Sequence, residues 1–171
     1  AVDQALDAQG HRSEKRVWVG ESAGGSLALT GLFRRSARGH MPPAGVVAIS
    51  PMADLGLAGA SWHYNAGRDV ADLAMGRKMI GLYLGDRSTQ EPDISPVCHH
   101  YTGACPLLLI VGSHETMLSD VEHLARKAAA EVSVDLAIYE QMVHGFTRFK
   151  VPVADRALAH AAQWSLQRLA S

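Results

Sequence analysis

The chain alternates between short, densely apolar runs and longer stretches in which small and apolar residues return every three or four positions. Four runs have the aliphatic, β-branched character of buried strands. They are Arg16-Val17-Trp18-Val19, Gly45 to Ser50, Pro106 to Gly112 and Val134 to Tyr139. Between them the period lengthens, and helices are predicted over Ala23 to Ala37, about Ala71 to Tyr83, about Ser119 to Ala130 and about Ala154 to Leu169. The end of a further helix is predicted over Ala1 to Gly10, where Val2, Ala5 and Leu6 share one face. Residues 61–91 are mixed in pattern and hold only the helix near 71–83.

Strand and helix therefore alternate four times. Strand cores that are apolar without alternation belong to a parallel sheet covered on both faces. The pattern predicts an α/β fold, a mostly parallel sheet of about four strands with helices on both faces, in one domain over residues 1–171. No internal repeat, low-complexity tract or interdomain linker interrupts it.

Composition changes this picture little. At 171 residues, 47% hydrophobic and 19% charged, the chain can bury one sizeable core. A formal net charge of −1 gives no basic surface for nucleic acid or anionic lipid. No apolar run reaches the roughly 18 residues of a membrane span. The two cysteines, Cys98 and Cys105, fit free thiols, which favours the cytoplasm, although a local bridge stays open. Beyond that the compartment is unknown, since the sequence starts at Ala1 and not at Met.

Candidate chemistry concentrates at three places. Gly20-Glu21-Ser22-Ala23-Gly24-Gly25 lies between the first strand and the first helix. Gly-x-Ser-x-Gly in that context is a nucleophile elbow, with small residues two before and two after letting the turn close. Ser22 is the expected nucleophile, above a helix N-terminus that favours developing negative charge. The Ala23 N–H is an expected oxyanion donor. A serine needs a base, and His144-Gly145-Phe146 follows the last strand, where a loop can reach over the sheet edge. The acid that orients the base is expected after the third strand, in Gly112-Ser113-His114-Glu115-Thr116-Met117-Leu118-Ser119-Asp120. Glu115 comes first; Asp120 is the substitute, or a helix N-terminal acid.

These pieces resemble the hormone-sensitive-lipase-like esterases of the α/β-hydrolase superfamily. The resemblance rests on Gly20 to Gly25, Ser50-Pro51 with Asp54, Ser95-Pro96, Gly112-Ser113 with Glu115, and His144-Gly145-Phe146, spread over nearly the whole chain. It implies a serine carboxylesterase acting on short- to medium-chain esters through an acyl-enzyme, with a small-molecule ester substrate and neither metal nor organic cofactor. It makes residues 61–91 a cap-like insertion. Glu21 replaces the more usual Asp or Thr.

The family's His-Gly-Gly-Gly loop, a source of further oxyanion donors, has no counterpart in the 21 residues before Ser22. The expectation is a partial α/β-hydrolase domain lacking its N-terminal half, with a bare apolar strand edge that would favour self-association, a homodimer included. The alternative to an esterase is a non-catalytic or inactive fragment that binds a ligand or needs that half.

Other groups receive blander assignments. Asp54 is expected to cap the next helix. Cys98-His99-His100 with Cys105 lacks paired ligand spacing and is assigned no metal. Trp62, His63, Tyr64, Met75, Met79 and Leu82 are divided between pocket lining and core.

Overall fold

The computed structural model describes residues 15–170. The helix expected over Ala1 to Gly10 lies outside them. Four strands form one sheet: β1 (Val17–Glu21), β2 (Gly45–Ile49), β3 (Leu107–Gly112) and β4 (Val134–Tyr139). Their spatial order is β1-β2-β3-β4, the order of the chain, and every pairing is parallel. Parallel neighbours need crossovers, and helices supply them. These are α1 (Ala23–Ser36), α2 (Ser61–Tyr64), α3 (Leu73–Leu84) and α4 (Leu118–Ala128), while α5 (Pro152–Ala170) follows the last strand. None of the described helices is long and apolar enough to cross a membrane.

Alternate residues of the central strands feed two cores, as the two-residue period of a strand requires. On one face Val46, Ala48, Leu107, Leu109 and Val111 pack under Leu29 and Leu32 of α1 and Val121 and Leu124 of α4. On the other, Val47, Ile49, Leu108 and Ile110 meet Phe146 and the α5 residues Ala157, Ala161 and Trp164. Leu107 to Ile110 are wholly buried, so truncating one to alanine should cost about 2–5 kcal/mol.

The expectation of strands covered on both faces holds for β2 and β3 and fails at the margins. β1 leaves Val19 60% exposed, and β4 exposes Asp135, Leu136 and Ile138. These are the two edges, each with one sheet neighbour. The apolar strand edge expected at β1 is therefore present among the described residues.

A third cluster sits beyond the C-terminal ends of β2 and β3. It joins Met52, Leu55, Trp62, Ala71, Ile80, Ile94 and Met117. Residues 61–91 are thus anchored over the end of the sheet at which the loops after β1, β3 and β4 emerge. In a parallel sheet that end is where a ligand site is built.

Candidate active site

The β1–α1 turn has the geometry its glycines suggest. Ser22 takes φ 55° and ψ −122°, a region that costs an L-residue of order 1–3 kcal/mol. Its N–H donates to the Ile49 carbonyl at 2.9 Å, and its own carbonyl accepts from Ser26 N–H at 3.1 Å. Ser26 Oγ, in turn, donates to the Met52 carbonyl at 2.8 Å. A Cβ on Gly20 would run into the backbone of Gly24, so position 20 admits only glycine. Gly24 itself faces open space, contrary to the expected need for a small residue there. The next tight position is Gly25, whose Cβ would sit 3.1 Å from that of Pro51. Helical rotation explains the change, because one step along α1 turns the residue from solvent toward the β2 end.

Glu115 lies three residues past the end of β3 and is fully buried. Its Oε1 accepts from Ser50 Oγ at 2.6 Å and from Gly112 N–H at 2.7 Å. Its Oε2 stands 3.3 Å from His144 Nδ1. On the far side of the ring, His144 Nε2 stands 3.0 Å from Ser22 Oγ. The network fits one tautomer, with Nδ1–H donating to Glu115 and Nε2 accepting from the serine. Buried carboxylate, buried imidazole and half-buried hydroxyl thus form one line. The structure brings together Ser22, Glu115 and His144, the three residues singled out in the sequence.

Asp120 belongs elsewhere. Its Oδ2 accepts from Trp62 Nε1 at 2.6 Å, and burial raises its pKa from 3.8 to about 6. It fastens residues 61–64 to α4 and does not meet the histidine. Ala23 is exposed at the first position of α1. Its N–H is one of the helix-start donors that helical geometry leaves without an intrahelical acceptor.

Glu21, the departure from the family pattern, links the two sides of the site. Its Oε1 accepts from Thr147 Oγ1 at 3.0 Å and lies 3.5 Å from Arg148 Nε, both just beyond His144. Asp54 makes a different contact from the one expected. It accepts from Gly56 N–H at 2.7 Å, closing a turn of its own loop, because α2 begins only at Ser61, seven residues after Asp54. Cys98 and Cys105 are unbridged, and burial pushes the Cys105 thiol up to about 12. His99 is buried and stacked on Phe33, with centroids 5.0 Å apart.

Beside Ser22 a cavity of about 150 Å³ opens between α1 and α3, lined by Ala23, Leu27, Thr30, Met52, Met79 and Tyr83, among others. Its wall is almost wholly apolar. Of the six residues divided between pocket and core, Met79 lines this cavity and Trp62 is core. His63, Tyr64, Met75 and Leu82 are exposed instead, since they lie on the outward faces of α2 and α3.

Pattern reading missed Ser50, Ser61, Asn65 and Asp69. Ser50 was seen only as part of Ser-Pro, yet it holds the acid at an unusual φ of 47°. Ser61, Asn65 and Asp69 recur every four residues, which was the available signal. Ser61 Oγ donates to the Thr116 carbonyl at 2.6 Å, and Asn65 Nδ2 donates to the carbonyls of Ser113 and Glu115 at 3.0 and 2.9 Å.

Comparison with known proteins agrees with this architecture. A family model described as alpha/beta hydrolase fold matches residues 1–148. The chain is 33% identical to an esterase of Acinetobacter venetianus over 170 residues, covering 96% of this chain and 56% of that protein. It is 38% identical to an acetyl-hydrolase of Streptomyces hygroscopicus over 145 residues, covering 79% and 48% respectively. Among solved structures, a hormone-sensitive lipase from a metagenome library superposes with TM-score 0.91 at 35% identity, over 99% of this chain and 58% of that one. The chain belongs to the alpha/beta-hydrolase-fold family, among the hormone-sensitive-lipase-like esterases. It spans about half the length of the curated relatives it matches.

Proposed function

We propose that this chain carries the catalytic relay of a serine carboxylesterase. One observation carries the reading: Glu115, His144 and Ser22 in line, at 3.3 and 3.0 Å. His144 Nε2 takes the hydroxyl proton as Ser22 Oγ attacks the ester carbonyl. The charged imidazole is stabilised by Glu115, which Ser50 and Gly112 hold in place. The tetrahedral oxyanion faces the start of α1 and the Ala23 N–H. Collapse expels the alcohol, which receives the proton back from His144. Water then attacks the acyl-enzyme by the same proton path, releasing the acid.

The cavity beside Ser22 is the proposed acyl site, with residues 61–91 as a cap-like insertion forming its outer wall. An apolar cavity of similar size in another protein holds benzene, a six-carbon molecule. An acyl tail of about four to six carbons therefore fills it, which supports short- to medium-chain esters. The relatives named esterase and acetyl-hydrolase agree with ester cleavage.

A second reading has one observation behind it. No His-Gly-Gly-Gly run occurs in the sequence, so Ala23 is the single oxyanion donor identified. Loss of one such donor costs about 10²–10³ in turnover. On that reading the relay assembles and the serine reacts, but esters turn over slowly unless a further segment supplies donors.

The test is intact mass after treatment with a fluorophosphonate, followed by p-nitrophenyl butyrate hydrolysis. A single adduct, absent in Ser22→Ala, together with hydrolysis supports the esterase. An adduct without hydrolysis supports the second reading. Absence of an adduct on folded protein rejects the relay.

A further inference from the structure

The loops bearing Glu115 and His144 come from different strands, β3 and β4, and a third element touches both. Asp69 lies in the turn between α2 and α3, and its carboxylate accepts four hydrogen bonds. Oδ2 takes Thr116 N–H at 2.8 Å and Thr116 Oγ1 at 3.1 Å. Oδ1 takes the backbone N–H of His144 at 2.7 Å and that of Val70 at 2.8 Å. One side chain therefore holds the base itself and the residue next to the acid.

From this geometry we infer that Asp69 is a positioning residue for the Ser22–His144–Glu115 relay. The inference rests on the proposed function and adds a determinant that neither strand carries.

The chemistry selects a carboxylate. All four acceptor sites of the two oxygens are occupied, and only an ionised acid offers acceptors on both sides. Asparagine would turn a donor NH₂ toward either Thr116 or His144. Bonds from backbone N–H to a charged acceptor are also about twice as strong as neutral ones. The anchoring point is the backbone of His144, not its ring, so Asp69 sets where the imidazole pivots. At 3.3 Å the Nδ1 to Oε2 contact is already at the long end for a hydrogen bond, and little drift would break it.

Asp69 does not act alone in the segment. Asn65 and Ser61, four and eight residues upstream, tie the acid loop from the same side. Neither has a hydrogen bond to the histidine loop; Asp69 bridges both loops. Three residues after Asp69, Asp72 caps α3 by accepting from Met75 N–H at 2.7 Å. The helix that walls the acyl cavity thus starts from the clamp that holds the base.

Two readouts test the role in the full chain: the second-order rate of Ser22 phosphonylation by a fluorophosphonate, and the downfield proton resonance of His144 Nδ1–H. Glu131→Ala is the matched control, because Glu131 Oε2 likewise accepts from the backbone and hydroxyl of one threonine, Thr102, far from the site. Asp69→Ala should slow phosphonylation about 10- to 100-fold, the scale on which loss of a hydrogen-bonded orienting partner acts, and erase or shift the resonance. Asp69→Asn, which keeps shape and one acceptor, should fall between. Glu131→Ala should lower Tm and leave both readouts at wild-type values.

An Asp69→Ala protein that reacts within twofold of wild type overturns the inference, whatever its resonance does. So does a loss of rate matched by Glu131→Ala, which would make the effect one of general stability. If wild type itself forms no adduct, the esterase reading fails, and the resonance alone decides. Its persistence in folded Asp69→Ala then rejects the clamp, and its loss in that variant but not in Glu131→Ala supports it. Should Asp69→Ala not fold, Asp69→Asn is judged by the same limits.

Discussion

The two halves of the candidate site are built by opposite means. Ser22 is presented by residues adjacent in sequence: a strand, a glycine that admits no side chain, a strained serine and the first turn of a helix. Glu115 and His144 are presented by residues far apart, with Ser50 and Asp69 reaching in from other loops. The first half is a local solution that a pentapeptide encodes. The second is a long-range polar network in which each member is satisfied by another. Damage to the first half should be confined to a few positions, whereas the second is sensitive to residues that never touch a substrate.

The strongest way to break this comparison is to exchange acids in the long-range half. Glu115→Gln removes the charge and offers His144 an amide that can impose the wrong tautomer, and it should lower the phosphonylation rate by about 10⁴-fold. Asp120→Asn should change that rate less than about threefold while altering thermal stability, because Asp120 serves Trp62. Equal effects of the two changes would show that the network does not distinguish them.

Next in size is a pH effect on the support of the local half. His99 stacks under Phe33 of α1, and burial lowers its pKa from 6.5 to about 4. The unfolded chain takes that proton first. Stability is therefore complete above about pH 6.5 and declines as pH falls toward 4, by on the order of 3 kcal/mol. Asp120, raised to about 6, opposes this, since the folded state binds its proton first between about 6 and 3.8. Urea unfolding of wild type and His99→Phe from pH 7 to pH 4.5 isolates the histidine. The variant should lose less stability over that range, and parallel curves would contradict the assignment.

The smallest effect is expected where the two halves meet, at the cavity between α1 and α3. Leu27 lines it from one turn beyond the elbow and is 43% exposed, so Leu27→Trp can fill space with little cost to folding. The ratio of hexanoate to acetate ester hydrolysis should fall about tenfold, the scale of discrimination by one or two methylenes. An unchanged ratio would place the acyl chain elsewhere.

The same contrast explains what was legible in the sequence. β2 and β3 were visible because buried parallel strands are apolar throughout, β1 and β4 because most of their residues are still apolar, and the β4 range of Val134 to Tyr139 coincides with the structure. Ser22, Glu115 and His144 were visible because each directly follows a recognisable strand or lies in its loop. The half-exposed edges were not, since an apolar residue such as Val19 carries no mark of how many sheet neighbours its strand has. Ser50, Asn65 and Asp69 were hidden for another reason. Their partners lie tens of residues away, and a polar side chain in a loop has many innocent explanations. Only the four-residue recurrence of Ser61, Asn65 and Asp69 set them apart.

The order of the sheet, β1-β2-β3-β4, also has a consequence in time. Each strand pairs with the one made immediately before it, so a chain emerging from the ribosome can extend the sheet by successive addition, without waiting for a later strand to be inserted. The relay follows the same schedule. Ser22 and His144 are separated by 122 positions, which at about 5–20 residues per second is roughly 6–25 seconds of synthesis. Once β2 and Met52 have been made, the elbow can be folded while the proposed base does not yet exist. On the proposed function, the nascent protein thus carries a finished but unreactive serine until the His144 loop is made.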